Sequence, residues 1–346
     1  MSKNKVQHYL GQAIEQHASD LYLIAGKKPV LRLQGVLQEI AKEEIDSQDL
    51  LRLLNEIMRA GDMDAFHKNR DVDFAYGFDG FRFRINLHWQ QGQAALSARL
   101  IPKEIPTPAQ LDFPDIFDQL RRLDSGLVLV TGPSGSGKST TLAAMIQSMN
   151  EKSRRHIITL EDPIEFVYPN KQSIIEQREV GSDTSSFFNG LKYGLRQDPD
   201  VILVGEMRDR ETMAAALTAA ETGHLVLSTL HTRGAADTVA RIIDIFEPSR
   251  QNQILAQLAS SLVAVITQEL LPAQNGGRVA VREIMLMNHA ISNLIRQNKI
   301  EQIHSVLQTG RKEGMQTKEM HLKELYENEI ITVEVYQQKI SHSTVF

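Results

Sequence analysis

The sequence predicts an α/β protein in which a small α+β domain precedes a larger domain built on a mainly parallel sheet. In the larger domain, four apolar runs without strict alternation are separated by helical stretches, as is typical of parallel strands buried on both faces. The runs are Leu127–Val130, Ile157–Leu160, Val201–Val204 and Leu225–Leu230. Before residue 101, short helix-like and strand-like pieces follow one another, and 346 residues are enough for about two domains.

Two amphipathic patterns predict helices in the N-terminal domain, which we expect to span residues 1–100. Val6, Leu10 and Ile14 are spaced so that they share one helical face. The apolar residues of 50–58 repeat that spacing, and Ser47 is the predicted N-cap of this second helix.

A clear alternation predicts a half-buried strand over residues 81–89. Its odd positions are apolar and its even positions are polar, so Arg82 and Arg84 are expected on the solvent-facing side. The preceding turn is predicted over 77–80 from its glycines and aspartate. A second strand, over about 94–101, places Arg99 on a polar face.

Prolines at 102, 106 and 108 favour an extended backbone, so residues 101–110 form a predicted linker. Residues 111–346 then form the larger domain, with a helical C-terminal region from about 290 onward.

Composition excludes several classes of protein and site. The chain has no cysteine, which excludes disulfides, thiolate zinc sites and cysteine nucleophiles and is compatible with the cytosol. Its net charge of −5 gives no global reason to bind nucleic acid. No apolar run approaches the roughly 20 residues of a membrane span, and no apolar segment follows residues 1–5 as a secretory signal would require.

A phosphate-binding loop is predicted directly after the first buried strand. Residues 132–139 fit G-x-x-x-x-G-K-[ST], and a helix-compatible run follows them, which is the context that makes this motif specific. Glycines let several backbone N–H groups face one anion, Lys138 reaches the β/γ-phosphates, and the Ser139 hydroxyl is a Mg²⁺ ligand. The predicted nucleotide-binding residues are Gly132, Pro133, Ser134, Gly135, Ser136, Gly137, Lys138, Ser139 and Thr140.

Polar residues follow the other three buried strands as well. Glu161 ends the second run, Glu206 follows the third, and His231 follows the fourth. Ligands of open α/β sheets bind beyond the carboxyl ends of the strands, so these groups are expected to meet a shared Mg-nucleotide there. Glu206 occupies the place of a carboxylate that holds Mg²⁺ or orients the attacking water, and Glu161 competes with it as the base.

The two histidines near the fourth strand are predicted to differ in role. His231 is placed to contact the γ-phosphate. His224 lies seven residues earlier, roughly 23 Å away along a straight strand, so both cannot touch one phosphate within one subunit. His224 is therefore expected to be structural or to contact a neighbouring subunit.

Four segments of the larger domain resemble the Walker A, Asp box, Walker B and His box of the PilT-type ATPases. These are the retraction motors of type IV pili, within the secretion ATPase superfamily. The resemblance covers essentially the whole chain and is strongest over residues 126–139, 158–166, 198–209 and 220–232.

The resemblance implies a PAS-like N-terminal domain, a RecA-like ATPase domain, and a homohexameric ring that binds ATP and Mg²⁺ between subunits. It also implies that N-terminal arginines reach the nucleotide, and Arg82, Arg84 and Arg99 lie in the matching stretch. Guanidinium groups suit a developing phosphoryl charge. Without the resemblance, each of the three reads as a solvated residue on a strand face.

The resemblance further implies partners and a location. It points to a pilus platform protein of the inner membrane, to a second retraction ATPase, and to a cytoplasmic position at the inner face of that membrane. The C-terminal signature A-I-R-N-L-I-R-E of the retraction motors reads A-I-S-N-L-I-R-Q over 290–297. Ser292 and Gln297 replace charged residues, so a variant or accessory retraction motor is one interpretation.

Three alternatives stay open. Pilus assembly and type II/IV secretion ATPases are usually longer and carry a four-cysteine zinc motif, which this chain lacks. A RecA-like nucleic-acid motor has no support from net charge or from a basic stretch with interleaved aromatic residues. A nucleotide switch that does not hydrolyse ATP is the third.

Overall fold

The computed structural model describes residues 5–58, 60–102 and 104–343. Residues 1–4 at the N-terminus, Lys103 of the predicted linker and 344–346 of the C-terminal region lie outside that part. The chain divides into two compact units, one of 1–104 with 163–167 and the other of 105–162 with 168–346. The association of 163–167 with the first unit has no counterpart in the sequence patterns.

Within the described residues, the first unit is an antiparallel six-stranded sheet with three helices. The strand order is β3-β2-β1-β6-β5-β4, and every neighbouring pair is antiparallel. The strands are β1 Asp20–Ile24, β2 Val30–Leu33, β3 Val36–Glu39, β4 Asp71–Phe78, β5 Phe81–Gln90 and β6 Gln93–Ile101. The helices are α1 Lys5–Glu15, α2 Ser47–Asn55 and α3 Ala60–Asn69.

Two local predictions in this unit are wrong in detail. The N-cap of α2 is Asp46, whose carboxylate accepts from the backbone N–H of Gln48 at 2.8 Å, while Ser47 is already helical. The turn between β4 and β5 contains only Asp79 and Gly80, both with positive φ (52° and 72°). A two-residue turn of this kind matches the strand twist, so pairing extends to Phe78.

The second unit is a seven-stranded, mainly parallel sheet, which confirms the predicted fold class. The strand order is β13-β12-β7-β11-β10-β8-β9, and only the pairing of β12 with β13 is antiparallel. The strands are β7 Gly126–Thr131, β8 His156–Glu161, β9 Ile174–Glu179, β10 Val201–Val204, β11 Leu225–Leu230, β12 Leu262–Pro272 and β13 Arg278–Leu286. The four predicted strands form its centre, and the sequence patterns missed β9, β12 and β13.

Ten helices accompany this sheet within the described residues. They are α4 Ile116–Leu120, α5 Lys138–Lys152, α6 Phe187–Gly194, α7 Arg210–Glu221, α8 Ala235–Asp244, α9 Pro248–Ser261, α10 His289–Arg296, α11 Ile303–Thr309, α12 Lys318–Glu327 and α13 Val333–Ser343. Every residue of β7, β10 and β11 is buried. None of the helices in the described ranges is long and apolar enough to cross a bilayer.

A buried arginine of β13 holds the first residues of the second unit by hydrogen bonds to their backbone. Arg282 of β13 is 2% exposed and donates to the carbonyl oxygens of Asp112 at 2.9 Å and Leu111 at 2.6 Å. Its guanidinium also lies over the Phe113 ring. Burial lowers the pKa of Arg282 to about 10, so it stays charged at neutral pH.

Candidate nucleotide site

The four central strands of the second unit bring the predicted site residues to one edge of the sheet. β7, β11, β10 and β8 are consecutive neighbours and parallel, so their carboxyl ends meet there. The phosphate loop follows β7, His231 follows β11, Glu206 lies two residues beyond β10, and Glu161 is the last residue of β8. The structure therefore places His231 between the loop and Glu206.

The phosphate loop has the backbone conformation that its glycines predict. Gly135 and Gly137 have φ of 76° and 86°, and Gly137 caps α5. Lys138 is 9% exposed, and its ammonium donates to the carbonyl oxygens of Gly132 at 2.9 Å and Pro133 at 3.0 Å. The loop's own carbonyl oxygens thus hold the Lys138 ammonium in place.

A buried hydroxyl group of the loop also indicates a site for a phosphate ligand. The Ser136 hydroxyl is buried and has no hydrogen-bond partner within the described residues. A buried polar group of this kind costs free energy unless a ligand or water satisfies it. Ser139 and Thr140 lie in the first turn of the 15-residue helix α5, where the helix N-terminus favours anions.

Glu206 is held between a cation and a histidine. Its side chain is 13% exposed, and one carboxylate oxygen lies 2.5 Å from a guanidinium nitrogen of Arg208. The other oxygen lies 3.5 Å from Nε2 of His231. The hydrogen bond to Glu206 raises the pKa of Arg208, and the charge of Asp162 acts in the same direction.

Glu161 accepts hydrogen bonds from a hydroxyl and from a side-chain amide. One of its carboxylate oxygens accepts from the Thr159 hydroxyl at 2.6 Å and from the Gln177 side-chain amide at 3.2 Å. Gln177 lies on β9, directly opposite Thr159 in the strand register. Burial, with a further contribution from the Glu161 charge, raises the pKa of Tyr168 well above its usual value.

His224 lies at the opposite end of β11 from His231, since one precedes the strand and the other follows it. Its Nδ1 lies 3.1 Å from the carbonyl oxygen of Ala219 near the end of α7. It is therefore a local contact between that helix and the strand.

The three candidate arginines lie on the sheet of the first unit. Arg84 and Arg99 face each other across β5 and β6, and Arg82 is two residues from Arg84. Arg99 donates to Asp20 at 2.9 Å, and Asp20 is only 8% exposed. The aspartate offsets the repulsion between neighbouring guanidinium groups, and the Arg84 side chain is exposed.

Two polar residues that the sequence patterns did not single out lie near the candidate nucleotide site of the second unit. Arg208 pairs with Glu206 as described above, and its position two residues later was the available signal. Gln268 lies on β12 and hydrogen-bonds the phosphate loop. Its signal was the polar run Thr267–Glu269 inside an otherwise apolar segment.

The residue after Gln268 fastens the C-terminal helices. Glu269 accepts from Lys318 of α12 at 2.5 Å and also from Lys339 of α13. Burial alone would raise the pKa of Glu269, and the two lysine hydrogen bonds outweigh it, so the pKa is lowered. Because the folded-state pKa is depressed, this stabilisation is present above the unfolded pKa of about 4.3 and is lost as the pH falls through the folded value.

We expect Glu269→Gln to lower the free energy of unfolding at pH 7 by on the order of 1–3 kcal/mol, as for a charged hydrogen bond. Denaturant unfolding from pH 7 downward measures the difference from wild type, which should narrow below about pH 4.3. Glu327→Gln is the control, because its 3.6 Å pair with Lys323 is exposed. A pH-independent difference would contradict the assignment.

A phosphate loop between a buried strand and a helix, with Glu206 and His231 just beyond the ends of neighbouring strands, defines a P-loop NTPase. The profile of the family described as type II/IV secretion system protein matches residues 2–276. A twitching motility protein of Neisseria gonorrhoeae is 46% identical over 95% of this chain and 88% of its own length.

Two further comparisons cover nearly complete chains. The type IV pilus retraction ATPase PilT of Pseudomonas aeruginosa is 43% identical over 96% of this chain and 97% of its own. A crystal structure of the pilus retraction motor PilT with bound ADP superimposes with a TM-score of 0.90 at 44% identity, covering 96% of each chain. The chain therefore belongs to the type II/IV secretion system protein family, among its PilT-type pilus retraction ATPases.

Proposed function

We propose that the chain is a hexameric motor that uses ATP hydrolysis to retract type IV pili. The observation that carries this proposal is the single edge of four parallel strands that presents Lys138, His231, Glu206 and Glu161 together. The full-length similarity to pilus retraction ATPases supports pilus retraction as the process that ATP hydrolysis drives.

ATP binds at the phosphate loop of the second unit. Lys138 turns from the carbonyl oxygens that it now contacts to the β/γ-phosphates, since a phosphate offers it a full negative charge. Ser139 and Glu206 would hold Mg²⁺, which usually takes one or two protein ligands together with nucleotide phosphates. Bound Mg²⁺ neutralises charge on the phosphate oxygens.

Glu206 is the better candidate for the residue that orients the attacking water. Strands lie about 4.8 Å apart, so β10 is roughly 10 Å and β8 roughly 14 Å from the strand that carries the loop. The ion pair with Arg208 also holds the Glu206 side chain in place. His231 lies between the loop and Glu206 and contacts the terminal phosphate. Glu161 instead links the neighbouring strands β8 and β9 through its hydrogen bonds with Thr159 and Gln177.

Arginines of a neighbouring subunit complete the site. A ring of identical subunits repeats one heterologous interface, so each site can draw Arg82, Arg84 and Arg99 from the next copy. Arg84 is the first choice for a test because it is exposed, whereas Arg99 is bound to Asp20. A guanidinium supplied in this way contributes about 10³–10⁵ in rate.

We expect Arg84→Ala and Lys138→Ala subunits to be inactive alone and partly active when mixed. In random 1:1 hexamers, roughly a quarter of the interfaces join an intact loop to an intact arginine. ATP turnover of the mixture measures this, with the exposed Arg52→Ala as the control that keeps activity. Intact mixed hexamers without rescue would count against a shared site.

The partners follow from the same proposal. The motor acts in the cytoplasm at the inner face of the membrane, on a platform protein, alongside a second retraction ATPase. The altered residues Ser292 and Gln297 lie on and just after α10, where Ser292 donates to the Ala259 carbonyl oxygen at 2.9 Å. Gln297 donates to Asn293, four residues earlier, so neutral contacts take the place of the charges.

Assembly and secretion motors are the main alternative. Deleting the gene separates them from a retraction motor, because loss of retraction leaves pili on the surface whereas loss of assembly removes them. DNA-stimulated ATP turnover would favour a nucleic-acid motor, and nucleotide binding without turnover would favour a switch.

A further inference from the structure

Gln268 is a buried polar residue whose side chain hydrogen-bonds the phosphate loop. It is 2% exposed and lies on β12, the strand that flanks β7 on the side away from β11. Its amide nitrogen donates to the carbonyl oxygen of Ser136 at 2.7 Å. Its amide oxygen accepts from the Thr141 hydroxyl at 2.9 Å. Both halves of one side chain therefore bind residues of the loop and of the first turn of α5.

The backbone of Gln268 is as close to the loop as its side chain. A Cβ at Gly132 would lie 2.2 Å from the Gln268 carbonyl oxygen, so only glycine fits where the loop begins. A Cβ at Gly137 would lie 3.2 Å from the Gln268 amide nitrogen. The loop is thus packed on this one residue at its first glycine and at its last.

The hydrogen bond to Ser136 determines the direction of a peptide plane. In a trans peptide the carbonyl group and the following N–H point to opposite sides. Since the Ser136 carbonyl points inward to Gln268, the N–H of Gly137 points to the other side of the loop. Backbone N–H groups on that side form the anion-binding concavity of a phosphate loop.

We propose that Gln268 is a positioning residue of the nucleotide site, which fixes the Ser136–Gly137 peptide in the orientation that binds phosphate. This inference rests on the proposed function, because it presumes that the loop binds ATP. Without Gln268 the peptide can rotate, and the nucleotide must order it on binding. The consequence is weaker binding of ADP and ATP by an otherwise folded protein.

Gln268→Ala tests this with the fluorescent nucleotide mant-ADP and with steady-state ATP turnover. We expect its Kd and the KM for ATP to rise about tenfold, the equivalent of one hydrogen bond of about 1.4 kcal/mol. Gln268→Glu keeps the acceptor for Thr141 but loses the donor to Ser136, so it should weaken binding at least as much. In contrast, Thr141→Val should weaken binding less, and adding it to Gln268→Ala should change little further.

Thr267→Val is the matched control. Thr267 lies one residue before Gln268 on β12, and the change removes its buried 2.8 Å hydrogen bond with Thr131 of β7 while both hydrogen bonds of Gln268 stay in place. We expect it to lower thermal stability while its Kd for mant-ADP stays at the wild-type value.

The outcomes separate this inference from the function on which it rests. If wild type binds mant-ADP and Lys138→Ala does not, the loop is a nucleotide site. Wild-type affinity in folded Gln268→Glu would then overturn the positioning role alone, as would an equal loss in Thr267→Val. Absence of binding by wild type would instead overturn the proposed function.

Discussion

Lys138→Ala abolishes ATP turnover, with kcat/KM expected to fall on the order of 10³-fold. The ammonium is the cation that the loop encloses, and it lies against the loop's own carbonyl oxygens at 2.9 and 3.0 Å. Alanine leaves the helix intact and removes the charge that we propose stabilises the transferred phosphoryl group. Release of phosphate by the purified protein measures the loss.

A second lysine on the same helix provides the control. Lys152 lies at the far end of α5 and makes only a 3.9 Å surface pair with Asp118, so Lys152→Ala should keep wild-type turnover. Near-wild-type kcat/KM in folded Lys138→Ala would overturn the assignment of the site.

Glu206→Gln should still bind ATP, because the amide oxygen can keep its place beside Mg²⁺, and should hydrolyse it about 10²–10⁴-fold more slowly. The amide keeps the shape of the side chain but can neither accept a proton nor hold the attacking water as strongly. It also loses its ion pair with Arg208 and the proximity of a charge to His231. Single-turnover hydrolysis and mant-ADP binding, measured on the same sample, separate the two effects.

Glu161→Gln is the matched comparison, because it is the other carboxylate on the same edge. Glu161 ends β8, one strand farther from the loop than β10, so we expect a smaller loss of rate than in Glu206→Gln. A larger loss in Glu161→Gln would make Glu161 the base. Loss of nucleotide binding in Glu206→Gln would indicate a structural role for that carboxylate.

The centre of the sheet could be predicted from sequence because its strands are buried on both faces. Runs such as Val201–Val204 have no other stable place in a folded chain than between two layers, and each of the four formed a strand. Parallel connections determine which strand ends meet, so the position of Glu161, Glu206 and His231 on one edge could be predicted from sequence.

The edges of the sheet could not be predicted in the same way. β12 interrupts its apolar run with Thr267, Gln268 and Glu269, a pattern that resembles a loop when read locally. Those polar residues are satisfied by partners far along the chain, such as Ser136 and Lys318. Only the folded arrangement shows that each has a specific partner.

The N-cap of α2 shows the limit of local signals on a smaller scale. Ser47 is the predicted cap, although aspartate caps helices as well as serine does. The structure selects Asp46, because its carboxylate reaches two backbone N–H groups of the first turn.

The shortening of pili in living cells is the direct test of an ATP-driven retraction motor. A strain that lacks this gene would be complemented with wild type or with Glu206→Gln, and the shortening of single labelled pili would be measured. We expect wild type to restore retraction, while Glu206→Gln leaves pili that extend and do not shorten. Retraction at the wild-type rate in Glu206→Gln, or the disappearance of pili in the deletion strain, would contradict it.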